Sequence, residues 1–316
     1  MADVKIIAVT GATGAQGGGL VRAICADTSG GFKARAITRD PGSDKAKELA
    51  SLGAEVVAGD IGDEASMARA FDGAHGAYCV TFFWSHFSAE REIAEAGAMA
   101  RAAKRAGLEH VIWSTLEDTR IWVPLDDDRM PTLQGKYKVP HFDGKGEANR
   151  LFAAEGVPTT FLLTSFYWDN FIYFGMEPKK GPDGVYGITL PMGSAKLPGI
   201  AAEDIGKCAY GVFKRGRELA GKFVGIAGDH LSGDEMAAAF TKALGVQVRY
   251  NDVPADVFRG FGFPGADDLG NMFQFKRDFE QVFRGPRDLA GSRALNPSLL
   301  TFDAWLAKYK GSIPLA

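Results

Sequence analysis

The sequence has few cysteines and no long hydrophobic run. Three cysteines occur in 316 residues, at Cys25, Cys79 and Cys208. Their odd number and wide spacing exclude a disulfide framework and a C-x-x-C metal site, and are typical of a reducing compartment. The chain also lacks an apolar run of about 18 residues, which excludes a predicted membrane-spanning helix.

An excess of charge of one sign is also lacking. The chain has 36 Lys and Arg against 39 Asp and Glu, which gives a formal net charge of −3. This balance provides no basic surface for nucleic acid or an anionic membrane. No metal is expected, because no His, Cys, Asp and Glu cluster has metal-ligand spacing. The first predicted strand starts within four residues of Met1, which leaves no room for a signal peptide, and a cytoplasmic location is expected.

Glycine, in contrast, is abundant, and three glycines form a spaced motif near the start of the chain. A β-branched, apolar run over residues 4–9 predicts a buried parallel strand, and Leu20 begins a helical pattern. Between them, Gly11 permits a sharp turn, Gly14 lets an anionic ligand approach the backbone, and Gly17 lets the helix pack closely. The free N–H groups and dipole of this helix suit a pyrophosphate. A glycine-rich turn without a ligand is the alternative.

Strands and helices alternate after this motif. This alternation predicts right-handed βαβ crossovers and an α/β fold, a Rossmann doubly wound parallel sheet with a smaller α/β C-terminal domain. We expect a Rossmann domain over residues 1–164, and a smaller domain over residues 165–316 from which some segments return to the first. The predicted strands cover residues 32–38, 53–60, 77–81, 110–114 and 159–164, and the predicted helices residues 45–52, 63–71, 88–106 and 141–155.

The second half has weaker local signals. Residues 175–199 are rich in Gly and Pro and predict loop with short strands on the substrate side, and residues 223–227 predict a strand. Ser232 and Glu235 have capping-box spacing before a helix predicted over residues 236–244. Seven phenylalanines predict core of the smaller domain or, alternatively, an apolar wall for a substrate or partner: Phe258, Phe261, Phe263, Phe273, Phe275, Phe279 and Phe283.

The end of the second predicted strand indicates which dinucleotide would bind. An acidic residue there would bind the ribose diol of NAD, but the chain has Thr38-Arg39-Asp40-Pro41. The Arg39 guanidinium can bind a 2′-phosphate through charge-assisted hydrogen bonds, which favours NADP(H) over NAD. A surface role for Arg39 is the alternative. Asp60 ends the third strand, where it would face adenine or serve only as a turn residue.

Several motifs are spread over nearly the whole chain. They are Gly11-Ala12-Thr13-Gly14-Ala15-Gln16-Gly17-Gly18, Thr38-Arg39, Gly59-Asp60, His141-Phe142-Asp143-Gly144-Lys145-Gly146-Glu147, Phe261-Gly262-Phe263-Pro264-Gly265, Asp268-Leu269, Asn271-Met272-Phe273 and Leu299-Leu300-Thr301-Phe302-Asp303-Ala304-Trp305-Leu306. With these motifs the chain resembles the NmrA-like family of atypical short-chain dehydrogenases/reductases, and particularly its NADPH-sensing members.

The resemblance implies a set of NADP(H) contacts. Lys145 would bind the nicotinamide ribose, and Arg39 the 2′-phosphate. Two expected lysines are missing, because Ser43 and Ala94 occupy their positions. The remaining implied contacts are Gly11, Thr13, Gly14, Ala15, Gln16 and Gly17 at the pyrophosphate, Asp60 and Ile61 near adenine, Thr81, Phe82 and Phe83 at the ribose and nicotinamide, and Phe166, Tyr167, Trp168 and Asp169 at the nicotinamide pocket.

Catalysis, if present, depends on His141 and Lys145. Short-chain dehydrogenases use Tyr-x-x-x-Lys on one helix face, and His141 stands in the tyrosine position. Imidazole can donate a proton near neutral pH but is shorter than a phenol. The alternative is a histidine that only packs against the cofactor or its own helix. The literal match, Tyr210 to Lys214, comes too late in the chain and is interpreted as coincidental, and Ser114 is a weak match to the dehydrogenase serine.

Two functions remain open from the sequence. The resemblance and the absent tyrosine favour a regulator that reports the NADPH/NADP⁺ balance, with little turnover and with a regulatory protein partner or a homodimer. The alternative is an NADPH-dependent reductase of a small carbonyl, quinone or ene substrate, with His141 or a water as the proton donor.

Overall fold

Thirteen strands and thirteen α-helices are present in residues 4–315, the part of the chain that the computed structural model describes. The strands are β1 (Lys5–Val9), β2 (Phe32–Thr38), β3 (Glu55–Ala58), β4 (Gly76–Cys79), β5 (His110–Thr115), β6 (Thr159–Leu163), β7 (Phe166–Tyr167), β8 (Lys179–Lys180), β9 (Tyr186–Leu190), β10 (Leu197–Ile200), β11 (Phe223–Gly225), β12 (Asp229–Leu231) and β13 (Val248–Asp252). The helices are α1 (Ala15–Ala26), α2 (Asp44–Ser51), α3 (Glu64–Phe71), α4 (Ala89–Arg105), α5 (Pro140–Glu155), α6 (Asn170–Tyr173), α7 (Ala202–Arg215), α8 (Gly233–Leu244), α9 (Ala255–Arg259), α10 (Ala266–Asp278), α11 (Glu280–Arg284), α12 (Leu289–Leu295) and α13 (Phe302–Tyr309).

Seven parallel strands form the central sheet, in the order β11-β6-β5-β4-β1-β2-β3. The sheet is the doubly wound Rossmann arrangement that the sequence predicts. The strand order reverses between β1 and β4, which pair directly, with Ala8 opposite Ala77. In open α/β sheets, ligands bind outside the carboxyl ends of the strands at this reversal. The glycine motif follows β1 and therefore lies at this point.

Helices cover both faces of the sheet, which explains why its inner strands are apolar runs without alternation. On one face, Leu20 of α1 and Ile205 of α7 belong to a buried cluster with Ile7 of β1. On the other face, Met99 of α4 and Phe152 of α5 belong to a second buried cluster. Each cluster therefore buries one face of the sheet.

The second half of the chain adds one strand to the central sheet and forms most of a smaller part of the molecule, which contains two further sheets. Strand β11 pairs with β6 in parallel, with Val224 opposite Leu162, and extends the central sheet. Strands β7, β10 and β12 form one three-stranded sheet, and β8, β9 and β13 form another. A large aromatic core around Trp168, Phe302 and Trp305 packs within this smaller part. The Gly- and Pro-rich residues 175–199 contain β8, β9 and most of β10, in agreement with the predicted short strands.

Local helix signals are confirmed at their N-termini. The Asp63 carboxylate accepts hydrogen bonds from the backbone N–H groups of Ala65 and Ser66 at the start of α3. Ser232 and Glu235 form the predicted capping box. Helix α8 begins at Gly233, earlier than the predicted start at residue 236, because the capping residues themselves form its first turn.

The prediction that seven phenylalanines form core is wrong for two of them. Phe261 and Phe263 are 46% and 40% exposed, since they lie in the turn between α9 and α10. Phe258, Phe273 and Phe283 are at most 3% exposed and belong to the core of the smaller part. The exposed pair therefore belongs to the surface.

Candidate functional site

The turn after β1 is built for close approach of an anion. Gly11 has a φ of +59°, which glycine adopts without strain. A Cβ on Gly17 would lie 2.5 Å from the Gly11 carbonyl oxygen, so a larger residue would not fit there. Helix α1 has Gly14 as its N-cap, with no side-chain cap and no acidic residue in its first turn. Its first N–H groups are therefore available to an anionic ligand. Thr13 and Ala15 complete this turn.

Gln16 points its side chain into the protein instead of toward this turn. Its Oε1 accepts a hydrogen bond from Ser114 Oγ at 2.7 Å and another from the Tyr78 hydroxyl. Its Nε2 donates to the Tyr167 hydroxyl. Gln16 and Tyr167, both predicted site residues, are thus in direct contact. Burial raises the pKa of Tyr167 to about 12, so this hydroxyl stays protonated. Gln16 can contact a phosphate only through its backbone.

Arg39 lies exposed just beyond the carboxyl end of β2, and it has no ion-pair or hydrogen-bond partner within residues 4–315. The neighbouring acid is used locally, since the Asp40 carboxylate accepts a hydrogen bond from the backbone N–H of Gly42 at 2.9 Å. Ser43, at the position of the missing lysine, caps α2 through the N–H of Ala46. Within the described residues, the Arg39 guanidinium is therefore a free cationic group at this strand end.

Asp60 and Ile61 follow β3, at the same edge of the sheet. The Asp60 carboxylate accepts a hydrogen bond from the backbone N–H of Gly62 at 2.9 Å, which forms a local turn. Ile61 packs partly buried against the cluster under α3. The turn role of Asp60 is therefore present, and its carboxylate is exposed at the edge where adenine is predicted.

Lys145 and Thr81 meet at the end of β4. Lys145 Nζ lies 2.6 Å from Thr81 Oγ1 and 2.5 Å from Glu92 Oε1, and Thr81 Oγ1 donates to the same carboxylate oxygen at 2.5 Å. The ammonium also lies 5.3 Å from the centre of the Trp113 ring. Glu92 comes from α4 and is fully buried. Glu92 could not be predicted from the sequence, because acids on helices are common and its partners are distant along the chain.

His141 occupies the first turn of α5, one turn before Lys145. Its Nδ1 lies 2.5 Å from Asp268 Oδ1, and its backbone N–H donates to Asp268 Oδ2 at 3.2 Å. Its ring lies against Phe83 and Trp84, at 5.8 Å and 4.9 Å between ring centres. His141 therefore contacts the segment that follows Thr81, the partner of Lys145. Asp268 belongs to the Asp268-Leu269 motif, but nothing in the sequence connects it to His141.

A buried histidine, His86, lies next to Glu92, the acid that contacts Lys145. His86 Nδ1 accepts a hydrogen bond from the backbone N–H of Ser88, which places the ring proton on Nε2. This Nε2 lies 3.7 Å from Glu92 Oε2 and 3.6 Å from Glu95 Oε2. Within residues 4–315, His86 Nε2 and Glu92 Oε2 are buried without a hydrogen-bond partner. Arg91 pairs with Glu95 at 2.9 Å, so two carboxylates face two cations, Lys145 and Arg91.

The remaining predicted pocket residues have unequal exposure. Phe82 is 56% exposed, whereas Phe166 is buried against Phe171 and Phe273. The Trp168 ring packs in the smaller part's core, 5.3 Å from the Phe302 ring, and is 1% exposed. Asp169 accepts a hydrogen bond from the backbone N–H of Ala202 at 2.8 Å, and burial raises its pKa.

Tyr210 lies far from these residues. Its hydroxyl donates to Asp27, the C-cap of α1, at 3.0 Å. The glycine turn is at the other end of this helix of 12 residues, about 18 Å away at 1.5 Å per residue. Lys214 stacks its ammonium 4.5 Å from the centre of the Tyr210 ring. This pair is therefore too distant to act at the glycine turn.

In residues 4–315, no three His, Cys, Asp or Glu side chains are arranged to hold a metal ion. Over the same residues, every helix is too short or too polar to cross a membrane.

Comparison with known proteins gives a consistent assignment. The sequence model of the NmrA-like family matches residues 3–306. An NmrA-like family domain-containing oxidoreductase, FrzB of Cladobotryum sp, is 30% identical in an alignment 293 residues long that covers 85% of this chain and 83% of that protein. The crystal structure of NmrA, a negative transcriptional regulator, in complex with NADP is 25% identical and has a TM-score of 0.78, over 96% of this chain and 94% of that chain.

A third relative extends the likeness in fold. The triphenylmethane reductase of Citrobacter sp. complexed with NADP(H) is 20% identical, with a TM-score of 0.73 over 96% of this chain and 99% of that chain. The family match spans nearly all of the sequence, including the glycine turn and the His141–Lys145 helix. This chain belongs to the NmrA-like family.

Proposed function

We propose that this protein binds NADP(H) and reduces a small apolar carbonyl, quinone or ene substrate at a low rate. One observation carries the proposal: His141 and Lys145 lie one turn apart on α5 and contact the same segment after β4. An imidazole and an ammonium thus take the places of the dehydrogenase tyrosine and lysine at the reversal of strand order. The absent tyrosine favoured a regulator, and this geometry favours a reductase.

The residues present fit an NADP(H) dinucleotide. The uncapped N-terminus of α1 offers N–H groups and a positive dipole end to a pyrophosphate. Arg39 is exposed and unpaired within residues 4–315, so its guanidinium is available to a 2′-phosphate. Lys145 would hold the nicotinamide ribose. The NADP complex of NmrA and the NADP(H) complex of triphenylmethane reductase support this assignment.

The chain's own residues supply the proton for the reaction. When bound, NADPH provides a hydride, which carries two electrons to one substrate atom. Protonated His141 then gives one proton to the other substrate atom and becomes neutral, and solvent restores the proton. The aromatic rings of Phe83 and Trp84 beside His141 favour an apolar substrate. Imidazole reaches less far than a phenol, so slow turnover is expected.

Consumption of NADPH by the purified protein tests this proposal. A panel of small carbonyls, quinones and activated alkenes should include at least one substrate. His141→Gln should lower kcat by about 10²-fold or more, with NADPH affinity unchanged. His75→Gln is the control, since His75 precedes β4 at the opposite edge of the sheet. Absence of any NADPH consumption, or full activity of His141→Gln, would refute the reductase.

A regulator that reports the NADPH/NADP⁺ balance is the second candidate, through a partner protein or a homodimer. It is favoured by polar contacts between α10 and the segment before α5: Asn271 Nδ2 donates to the Lys138 carbonyl at 2.5 Å, and Gln274 Nε2 to the Arg129 carbonyl at 2.7 Å. These contacts can transmit a change at α5 to the smaller part of the molecule. A sensor must bind the two cofactor forms with different affinity in its two conformations.

Hydrogen exchange distinguishes this candidate. If the protein is a sensor, NADPH should protect residues 165–199 more than NADP⁺ does, because these residues include β7 and the short strands beyond it. Equal protection of these residues by saturating NADPH and saturating NADP⁺ would refute the regulator function. NADPH consumption without differential protection would leave the reductase alone.

A further inference from the structure

We propose that Asp268 of α10 is a positioning residue that fixes the tautomer and orientation of His141 for proton transfer. The inference rests on the proposed reductase function and adds to it a residue from the smaller part of the chain. The assignment follows from the two hydrogen bonds between these residues, from the packing of the imidazole ring and from the anchoring of α10.

The hydrogen bonds determine which ring nitrogen carries the proton. An ionised carboxylate only accepts hydrogen bonds, so the 2.5 Å contact of Asp268 Oδ1 with Nδ1 requires a proton on Nδ1. Both side chains are buried, at 8% and 5% exposed, which strengthens the contact. Within residues 4–315, the hydrogen bond of the His141 ring is made by Nδ1, and Nε2 makes none. In the neutral ring, Nε2 is therefore the nitrogen that exchanges a proton with a ligand.

Packing holds the ring in one orientation. The centre of the His141 ring lies 4.7 Å from the centre of the Phe142 ring and 4.9 Å from the centre of the Trp84 ring. A half-turn of the ring about the Cβ–Cγ bond would replace Nδ1 by the Cδ2–H group at the Asp268 carboxylate and would break this hydrogen bond. The hydrogen bond from the His141 backbone N–H to Asp268 Oδ2 adds a second link, so the carboxylate holds both the main chain and the ring.

The position of Asp268 is itself fixed. It lies in the first turn of α10, where the helix dipole stabilises a negative charge. Three residues later, Asn271 donates to the carbonyl groups of Pro131 and Lys138, and Gln274 follows on the same helix face. These bonds attach α10 to the segment that leads into α5. The site for proton transfer is thus complete only when α10 is docked.

Asp268→Asn would preserve shape while reversing the tautomer. The His141 backbone N–H always donates, so the single amide oxygen of asparagine should turn toward it. The NH₂ group would then face Nδ1 and require it to accept, which moves the ring proton to Nε2. The neutral tautomer then has the wrong nitrogen protonated, although the side-chain volume and the fold are retained.

The tautomer of His141 can be read directly by long-range ¹H–¹⁵N correlation of the imidazole rings. The chain has five histidines, and His141 is assigned by the signal that His141→Gln removes. At a pH where the rings are neutral, we expect the Nδ1–H form in the native protein and the Nε2–H form in Asp268→Asn. Asp267→Asn, an exposed neighbour on the same helix, is the control and should leave the native pattern.

Kinetics provide the second readout. Asp268→Asn should lower kcat by about 10²-fold or more, with the KM for substrate and the affinity for NADPH unchanged, and Asp268→Glu should recover part of kcat. An Nε2–H form in the native protein, or the same tautomer in both proteins, would overturn the proposal. If the native protein turns over no substrate, the reductase fails, and the tautomer still decides the role of Asp268.

Discussion

Lys145 Nζ lies 2.5 Å from Glu92 Oε1, and neither side chain is more than 11% exposed. The ammonium that would hold the nicotinamide ribose therefore has a buried counter-ion. Thr81 bridges the two groups, since its hydroxyl contacts both. The Glu92 carboxylate offsets the positive charge of Lys145, which weakens any preference for NADPH over NADP⁺ that this charge alone would give.

Removal of the counter-ion should destabilise the protein. Glu92→Gln keeps the side-chain shape but leaves the Lys145 ammonium buried without a negative partner, at a cost of about 3 kcal/mol in the free energy of unfolding. Urea denaturation monitored by circular dichroism measures the loss. The double variant with Lys145→Met removes the ammonium as well and should recover most of the stability. Equal losses in the single and double variants would contradict a buried ion pair.

Cofactor preference should depend on Arg39. Hydrogen bonds to charged groups contribute about 1.5–3 kcal/mol, so Arg39→Ala should weaken NADPH binding by about 10–100-fold, whereas NADH binding should hardly change. Titration calorimetry measures both. Arg293→Ala is the control, because Arg293 is also exposed but lies on α12. Equal affinity of the native protein for NADPH and NADH would refute the preference.

Lys276 of α10 should make stability depend on pH. Its Nζ lies 4.9–5.9 Å from the centres of four phenylalanine rings, those of Phe142, Phe166, Phe273 and Phe283. Burial, together with the charge of Arg287, lowers the pKa of Lys276 to about 7 from its ordinary value of 10.5, and Glu117 partly opposes this. Between these pH values the unfolded chain binds one more proton than the folded protein, so the free energy of unfolding rises with pH.

Lys276→Met should remove this dependence and fill the aromatic enclosure. The variant's advantage over the native protein should be greatest near pH 7 and should shrink toward pH 10.5, by up to about 1.4 kcal/mol per pH unit. Guanidinium denaturation across this range measures the difference. A difference that is constant with pH would show that Lys276 does not titrate there.

Asp143 should be essential for the start of α5. Its carboxylate accepts four hydrogen bonds, from the backbone N–H groups of Thr119, Lys138 and Val139 and from Thr119 Oγ1. Asp143→Asn turns an NH₂ group toward at least one of these backbone donors, at about 1–3 kcal/mol for each buried group left unpaired. Thermal unfolding should detect the loss, and the exposed Asp126→Asn should be neutral. An unchanged melting temperature would contradict this role.

Local features of the fold were predictable because they depend on residues that are contiguous in the sequence. The glycine turn after β1 and the N-caps of α3 and α8 depend on side chains within a few residues of the backbone groups that they serve. The apolar run of β1 and the alternation that follows predict the parallel sheet, since crossover helices must cover both of its faces. Element boundaries differ by a few residues, as at Gly233.

The same local signals could not show which aromatic residues in the second half of the chain are buried and which are exposed. Phe261 and Phe263 resemble their neighbours in sequence but lie in an exposed turn, while Phe258 is buried. Trp168 is itself a predicted pocket residue and yet packs in the core against Trp305. Burial of an aromatic residue depends on which element faces it, and this is decided only when the helices pack.

The sequence by itself determined the family, the Rossmann sheet, the glycine turn and the pairing of His141 with Lys145 on one helix face. Only the tertiary structure decided what those two side chains contact. Asp268 is 127 residues from His141 along the chain, and Glu92 comes from a different helix than Lys145. A hydrogen-bond partner at such distances leaves no periodicity or spacing in the sequence. It exists because the packing of α10 and α4 against α5 brings the groups within 3 Å, where burial makes each contact strong.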